Sequence, residues 1–142
     1  MVQIKESSPL PRQVLVVDDS ETVRREIAQS LKHAGFIALE AGDGVAGLKL
    51  AQEQKPALII LDVNMPRMNG LEMLEHLRLD FATANIPVVI LTTEAEELMI
   101  ERARKAGAKG WLIKPVTADH VVRTAQAIAN RESVPPMPSR QP

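Results

Sequence analysis

Short apolar runs recur along the chain and predict the strands of a sheet. They occupy residues 14–17, 36–39, 58–61, 88–91 and 111–113. Four of these five runs lack the polar alternation of a half-exposed strand. Continuous apolar runs of this length are typical of strands that are buried on both faces of a parallel sheet.

Apolar side chains in the segments between the runs recur at helical spacing. The stripes are Val23, Ile27 and Leu31; Leu71, Leu74 and Leu77; and Val121, Val122, Ala125 and Ile128. Gly35 predicts the end of the first helix. Thr93 and Glu96 form a capping-box pattern before residues 98–100, and the last helix should begin near Thr117. Because strands and helices alternate with right-handed crossovers, the pattern predicts a five-stranded α/β sandwich.

Proline and glycine divide the chain into three parts. Six of the ten prolines lie near the two ends, whereas all seven glycines lie between Gly35 and Gly110. Polar, proline-rich segments without glycine favour extended or disordered chain over packed structure. We therefore expect a disordered tail over residues 1–11, one folded domain over 12–131, and a proline-rich disordered tail over 132–142.

The composition narrows the class of protein. Lys and Arg number 17 against 18 for Asp and Glu, a net charge of −1, which argues against bulk binding of nucleic acid or anionic membrane. The absence of cysteine excludes disulfide frameworks and cysteine-ligated metal sites. No apolar run approaches the roughly 18 residues of a membrane span, and the first residues lack the apolar core of an export signal. We expect a soluble, cytoplasmic protein that binds no nucleic acid and inserts into no membrane.

Polar residues stand where the predicted strands end. Asp18 and Asp19 follow the first strand, Asp62 the third, Thr92 the fourth and Lys114 the fifth. In open α/β sheets the ligand crevice lies outside the carboxyl ends of the strands. These side chains should therefore converge on one pocket.

Three crowded carboxylates repel one another, and a single lysine cannot neutralise them. A hard divalent cation can, and an all-oxygen shell with few protein ligands suits magnesium. Each of these residues also has a simpler possible role. Asp18 or Asp19 could cap a helix, Thr92 could merely end a strand, and Lys114 could be an ordinary lysine at a strand end.

Three segments at these positions resemble the receiver domain of bacterial response regulators. They are Val-Val-Asp-Asp-Ser at 16–20, Asp-Val-Asn-Met-Pro-Arg-Met-Asn-Gly at 62–70, and Trp-Leu-Ile-Lys-Pro at 111–115. The similarity covers the whole predicted domain and is greatest to single-domain members of the chemotaxis CheY type. It implies a flavodoxin-like, doubly wound parallel sheet in the order 2-1-3-4-5 with five helices.

The resemblance also implies a reaction and a metal site. Asp62 would accept a phosphoryl group and form an aspartyl phosphate. Asp19 and Asp62 would ligate Mg²⁺ together with the backbone carbonyl of Asn64, and Asp18 would hold a metal-bound water. The protein would be a phosphoacceptor that catalyses only its own phosphorylation and dephosphorylation, rather than a general enzyme.

Other positions would serve transfer and switching. Lys114 would neutralise charge on the phosphoryl group, and Thr92 would hydrogen-bond it once attached. Movement of Thr92 would draw Trp111 inward and repack the face made by the fourth helix, fifth strand and fifth helix. Relatives usually carry Tyr or Phe in place of Trp111, so the larger indole puts complete inward rotation in doubt.

Three residues beside the site should tune the lifetime of the phosphate. Asn64 and Glu94 occupy the positions that do so in the family. Thr93 departs from the family's Ala or Gly. Its β-branched side chain could slow the entry of donor or water, or Thr93 could instead serve as the cap of the next helix. The three histidines lie in predicted helices outside every motif, where we expect solvated surface: His33, His76 and His120.

The implied partners are a sensor histidine kinase or phosphotransfer protein upstream and an effector protein downstream. Only about a dozen residues follow the last predicted helix, too few for a DNA-binding module, which favours a stand-alone regulator. A phosphate shuttle or sink in a phosphorelay is the main alternative. A magnesium-dependent phosphatase with an aspartate nucleophile is less favoured, because Asn64 cannot shuttle a proton. A nucleotide carrier lacks its phosphate loop, and the retained site residues argue against a constitutive scaffold.

Overall fold

The structure is a computed structural model that describes residues 12–65, 68–93 and 97–129. The strands are β1 (Gln13–Val17), β2 (Ile37–Ala41), β3 (Leu58–Asp62), β4 (Val88–Thr92) and β5 (Gly110–Ile113). The helices are α1 (Glu21–His33), α2 (Gly44–Gln54), α3 (Gly70–Leu79), α4 (Glu97–Lys105) and α5 (Ala118–Ala129). The predicted tails, 1–11 and 132–142, lie outside the described residues.

All strands are parallel and lie in the order β2-β1-β3-β4-β5, which confirms the predicted fold. Every residue of β3 and β4 is buried, whereas the edge strands β2 and β5 are partly exposed. The second run was predicted at 36–39, but Phe36 lies before β2, where its buried ring belongs to the core beside α1. Burial alone therefore did not mark the start of this strand.

Alternation along the central strands divides the core into two layers. Leu15, Val17 and Ile59 belong to the cluster that also holds side chains of α2 and α3. Val14 and Val16 belong to the cluster that also holds those of α1 and α5. Each central strand thus contributes to both layers, because successive side chains point to opposite faces. This is why the apolar runs are continuous.

Side-chain caps set where the helices begin. The Ser20 hydroxyl accepts a hydrogen bond from the Val23 N–H at 3.3 Å, so Ser20 is the N-cap of α1 and neither Asp18 nor Asp19 has that role. Asn69 and Glu72 form a reciprocal capping box at α3. Glu96 of the predicted fourth cap lies outside the described residues. Among the helices that the structure describes, none is long and apolar enough to cross a bilayer.

Candidate functional site

The polar residues at the strand ends meet at one edge of the sheet. Asp62 and Thr92 are the last residues of β3 and β4, Asp18 directly follows β1, and Lys114 directly follows β5. Oxygens of the Asp18, Asp19 and Asp62 carboxylates lie within 4.8 Å of one another. Asp18 and Asp62 are buried, whereas Asp19 is exposed. Parallel strands place these residues together because all their carboxyl ends face the same way.

Lys114 lies between the two buried carboxylates. Its Nζ is 3.0 Å from Asp18 Oδ2 and 3.5 Å from Asp62 Oδ1. The lysine side chain is 16% exposed, so the ammonium stands at the rim of the pocket. The Lys114–Pro115 peptide bond that follows is cis.

The pKa values of these groups follow from burial and crowding. Burial, and next the charge of Asp18, raise the pKa of Asp62 to about 6, although Lys114 and the Asn64 N–H oppose the shift. Burial alone would lower the pKa of Lys114, but its contacts with the Asp18 and Asp62 carboxylates outweigh burial and raise it. One cation therefore does not fully neutralise the carboxylates around it.

This donor set fits a hard divalent cation. Oδ2 of Asp18 is buried, and apart from the Lys114 ammonium 3.0 Å away it has no polar partner within the described residues. Asp19 and Asp62 offer further carboxylate oxygens. The Asn64 N–H donates to Asp62 Oδ1 at 3.2 Å, which places the Asn64 main chain beside the acceptor. Three carboxylates with the Asn64 main chain beside them match the preference of Mg²⁺ for a few protein oxygen ligands together with water.

The remaining predicted residues differ in how far they are buried. Thr92 is buried, and its hydroxyl lies 3.9 Å from Met99 Sδ on α4. The Asn64 side-chain amide donates to Thr93 Oγ1 at 3.4 Å, so these two side chains meet across two loops at the mouth of the pocket. Trp111 on β5 is 40% exposed. Glu94 lies outside the described residues.

Sequence reasoning missed the side chains that hold the first acidic loop. The Arg24 guanidinium donates to the carbonyl oxygen of Asp18 at 2.9 Å and to Glu40 Oε1 at 3.0 Å. The Ser20 N–H donates to Asp18 Oδ1 at 2.9 Å. Helical spacing places Arg24, three residues before Ile27 and seven before Leu31, nearer the buried face of α1 than Arg25, but the sequence does not indicate its partners. The three histidines are exposed on α1, α3 and α5, as expected for surface residues.

A groove of about 780 Å³ lies beside the site. It runs between α1 and the segment that joins β5 to α5, and its lining includes Lys114, Thr93 and Val116. Residues of α1 such as Val23 and Ile27 form its other wall. The groove therefore meets the site at Lys114 and Thr93, whereas the three carboxylates do not line it.

Comparison with known proteins shows the family. Residues 14–126 match the model of the response regulator receiver domain. The transcriptional regulatory protein PdtaR of Mycobacterium tuberculosis is 36% identical over 86% of this chain, which spans only 58% of that relative's length. Protein PilH of Pseudomonas aeruginosa is 34% identical over 81% of this chain and 95% of its own.

A solved structure of a chemotaxis protein supports the same family. The chemotaxis protein CheY4 of Vibrio cholerae is 35% identical, with a TM-score of 0.80 over 83% of this chain and 98% of that one. Proteins of this family are signalling domains of two-component systems rather than classical enzymes. This chain belongs to the response regulator receiver family.

Proposed function

We propose that the protein is a receiver that accepts a phosphoryl group on Asp62 in a magnesium-dependent reaction. The observation that carries the proposal is the cluster in which buried Asp62 lies 3.5 Å from Lys114 Nζ and within 4.8 Å of the Asp18 and Asp19 carboxylates. An acceptor, a fixed cation and a metal-ligating set are what phosphoryl transfer requires.

The residues divide the work of the transfer. An oxygen of Asp62 attacks phosphorus, the bond from phosphorus to the donor breaks, and its electron pair leaves with the donor. Lys114 offsets the charge on the phosphoryl oxygens, and Thr92 donates its hydroxyl to them. Asp19, Asp62 and the Asn64 carbonyl would hold Mg²⁺, and Asp18 would orient a water bound to it; when bound, the cation would supply further neutralisation of negative charge.

The upstream partner is a histidine kinase or phosphotransfer protein, which would bind at the groove between α1 and the segment after β5, next to Lys114. The downstream signal is a change in protein binding on the face formed by α4, β5 and α5. Exposed apolar side chains on that face support this role: Leu98 is 86%, Trp111 40% and Ile113 48% exposed. A relay role, in which Asp62 passes its phosphate onward, uses the same site.

Labelling with acetyl phosphate tests the acceptor. With Mg²⁺ present, the intact protein should gain the mass of one phosphoryl group, and Asp62→Asn should gain none. Asp119→Asn is the matched control, because Asp119 is an exposed carboxylate paired with Arg123 on α5; it should label like the wild type. Labelling of Asp62→Asn at the wild-type level would reject Asp62 as the acceptor.

Fluorescence tests the coupling between site and surface, because Trp111 is the chain's single tryptophan. Titration with Mg²⁺ and then with beryllofluoride, which mimics the phosphoryl group, should give two successive changes in emission. The second change should be absent in Asp62→Asn. A wild-type protein that is labelled by acetyl phosphate but shows no second change would reject Trp111 as part of the switch.

A further inference from the structure

Asp18 is held by hydrogen-bonding or charged partners at four of its atoms. Its N–H donates to the Ala41 carbonyl at 3.1 Å, and its carbonyl oxygen accepts from Arg24 Nη1 at 2.9 Å. Its carboxylate accepts from the Ser20 N–H at 2.9 Å and lies 3.0 Å from Lys114 Nζ. Both its main chain and its side chain are therefore fixed.

Asp19 has no such support of its own. It is exposed, and within the described residues its carboxylate makes no hydrogen bond or ion pair. The carbonyl that Arg24 holds belongs to the peptide unit that joins Asp18 to Asp19. Because a peptide unit is planar, holding that oxygen also fixes the direction in which the Asp19 main chain begins.

Arg24 is itself anchored. Its Nε donates to Glu40 Oε1 at 3.0 Å, and the two side chains are 15% and 29% exposed. Glu40 lies on β2, opposite Val16 of β1, so the anchor is part of the sheet. The planar fork of a guanidinium lets one side chain bind the Glu40 carboxylate and the Asp18 carbonyl at once.

We propose that Arg24 is a positioning residue for the acidic site. It fixes the peptide between Asp18 and Asp19 and thereby sets where the Asp19 carboxylate lies for the divalent cation. The inference rests on the proposed function, which includes a magnesium site at these carboxylates, and adds a residue on α1 that governs the affinity of that site.

The charge of Arg24 and its contact with the Asp18–Asp19 peptide predict opposite effects on the affinity for Mg²⁺, and this makes the inference testable. A guanidinium near the site repels a divalent cation, so removing its charge would by itself tighten Mg²⁺ binding. Removing its hold on the peptide would weaken binding, as loss of a group that orients a metal ligand does. The sign of the change in Kd therefore separates the two.

The experiment measures the Kd for Mg²⁺ by calorimetry and the stability of the metal-free protein by urea unfolding. Arg24→Met should weaken Mg²⁺ binding about tenfold, and Arg24→Lys should weaken it several-fold at unchanged charge. The matched control is Arg25→Met. Arg25 is the adjacent residue of α1, 67% exposed and paired with Glu21 at 3.0 Å, and its loss should leave Kd unchanged or slightly lower.

Each outcome decides between the hypotheses. Wild-type affinity or tighter binding in Arg24→Met would overturn the inference, as would a loss of stability without a change in Kd. If Arg24→Met does not fold, Arg24→Lys decides, and wild-type affinity in that variant would overturn it. A wild-type protein that binds no Mg²⁺ would instead reject the metal site of the proposed function, and the inference with it.

Discussion

At the scale of single residues, the buried, ionised Asp62 carboxylate lowers the free energy of unfolding of the metal-free protein. Asp62 is 2% exposed, and its carboxylate shares the ammonium of Lys114 with that of Asp18. Burial and the like charge of Asp18 raise the pKa of Asp62 to about 6. A raised carboxyl pKa means that the folded protein binds a proton more tightly than the unfolded chain does.

This predicts that Asp62→Asn stabilises the metal-free protein at neutral pH. Between pH 4 and 6 the folded wild type holds the extra proton, so its free energy of unfolding falls as pH rises through this window and is level above it. Asp62→Asn should exceed wild type by about 1–3 kcal/mol at pH 7.5 and match it near pH 4. Urea unfolding in EDTA measures both, with Asp119→Asn as the control that should not change.

A less stable Asp62→Asn protein at pH 7.5 would contradict this account of the site. It would mean that the contact between Lys114 and Asp62 stabilises the folded state by more than burial and Asp18 destabilise it. Urea unfolding at pH 4 distinguishes the two accounts. With a raised pKa, Asp62 is protonated there and the two proteins should match. A stabilising contact would keep Asp62 ionised and leave Asp62→Asn less stable.

Thr93 permits a second prediction at this scale. Thr93→Ala should speed the loss of phosphate about fivefold, as expected if the side chain adds roughly 1 kcal/mol to the barrier by blocking water. The decay of labelled protein measures it. Thr93→Ser is the matched variant, because it keeps the hydroxyl that accepts from Asn64 and removes only the methyl group. An unchanged decay rate in both variants would exclude the steric role.

At the scale of elements, α3 begins directly against the main chain of the acceptor. The Asn69 capping box fixes its first turn, and the Gly70 N–H donates to the Val63 carbonyl at 3.0 Å. A Cβ on Gly70 would collide with the carbonyl oxygen of Asp62. The helix start therefore requires glycine for close approach, and it helps to hold the end of β3 in place.

Gly70→Ala should accordingly lower the free energy of unfolding by about 1–3 kcal/mol, because an added methyl group strains a packed contact. It should also weaken Mg²⁺ binding by displacing Asp62. Gly110→Ala is the matched control, since a Cβ there would meet no atom within 4 Å and stability should change by less than about 0.5 kcal/mol. Equal stability of the two variants would contradict the predicted clash.

At the scale of the whole molecule, one arginine connects two loops at the end of the sheet opposite the site, where β4 and β5 begin. Arg78 on α3 donates to the carbonyls of Ala106 at 2.8 Å and Gly107 at 3.2 Å, after α4. It also donates to those of Ala84 and Ile86, each at 3.0 Å, before β4. Burial lowers the pKa of Arg78. One side chain thus joins two loops that are distant in sequence.

Arg78→Met should lower the free energy of unfolding by about 2–4 kcal/mol, because it leaves these carbonyls without their donor. Arg104→Met is the control: Arg104 forms an exposed pair with Glu101 on α4, and such pairs contribute about 1 kcal/mol or less. Urea unfolding measures both. Similar losses in the two variants would show that the carbonyl contacts of Arg78 contribute little.

The sequence predicted the structure best where burial determines the residue type directly. The central strands are buried on both faces, so they appear as continuous apolar runs. Asp18, Asp62, Thr92 and Lys114 could be assigned to one edge because parallel strands share a direction. α2 has no comparable stripe of large apolar side chains, because small residues such as Gly47 pack closely against Val17. For α2, therefore, only the family resemblance predicted a helix.

The sequence by itself thus determined the fold class, the strand order through its resemblance, and the set of residues near the site. Only the tertiary structure decided which atoms meet, as with Lys114 Nζ, which is nearer to Asp18 than to Asp62. Arg24 and Arg25 show the physical reason. Helical spacing of about 100° per residue already places Arg24 nearer the buried stripe of α1 than Arg25. Only the packing of α1 against the sheet brings Arg24, 15% exposed, to Glu40 on β2 and to the peptide between the two aspartates, while Arg25 stays 67% exposed.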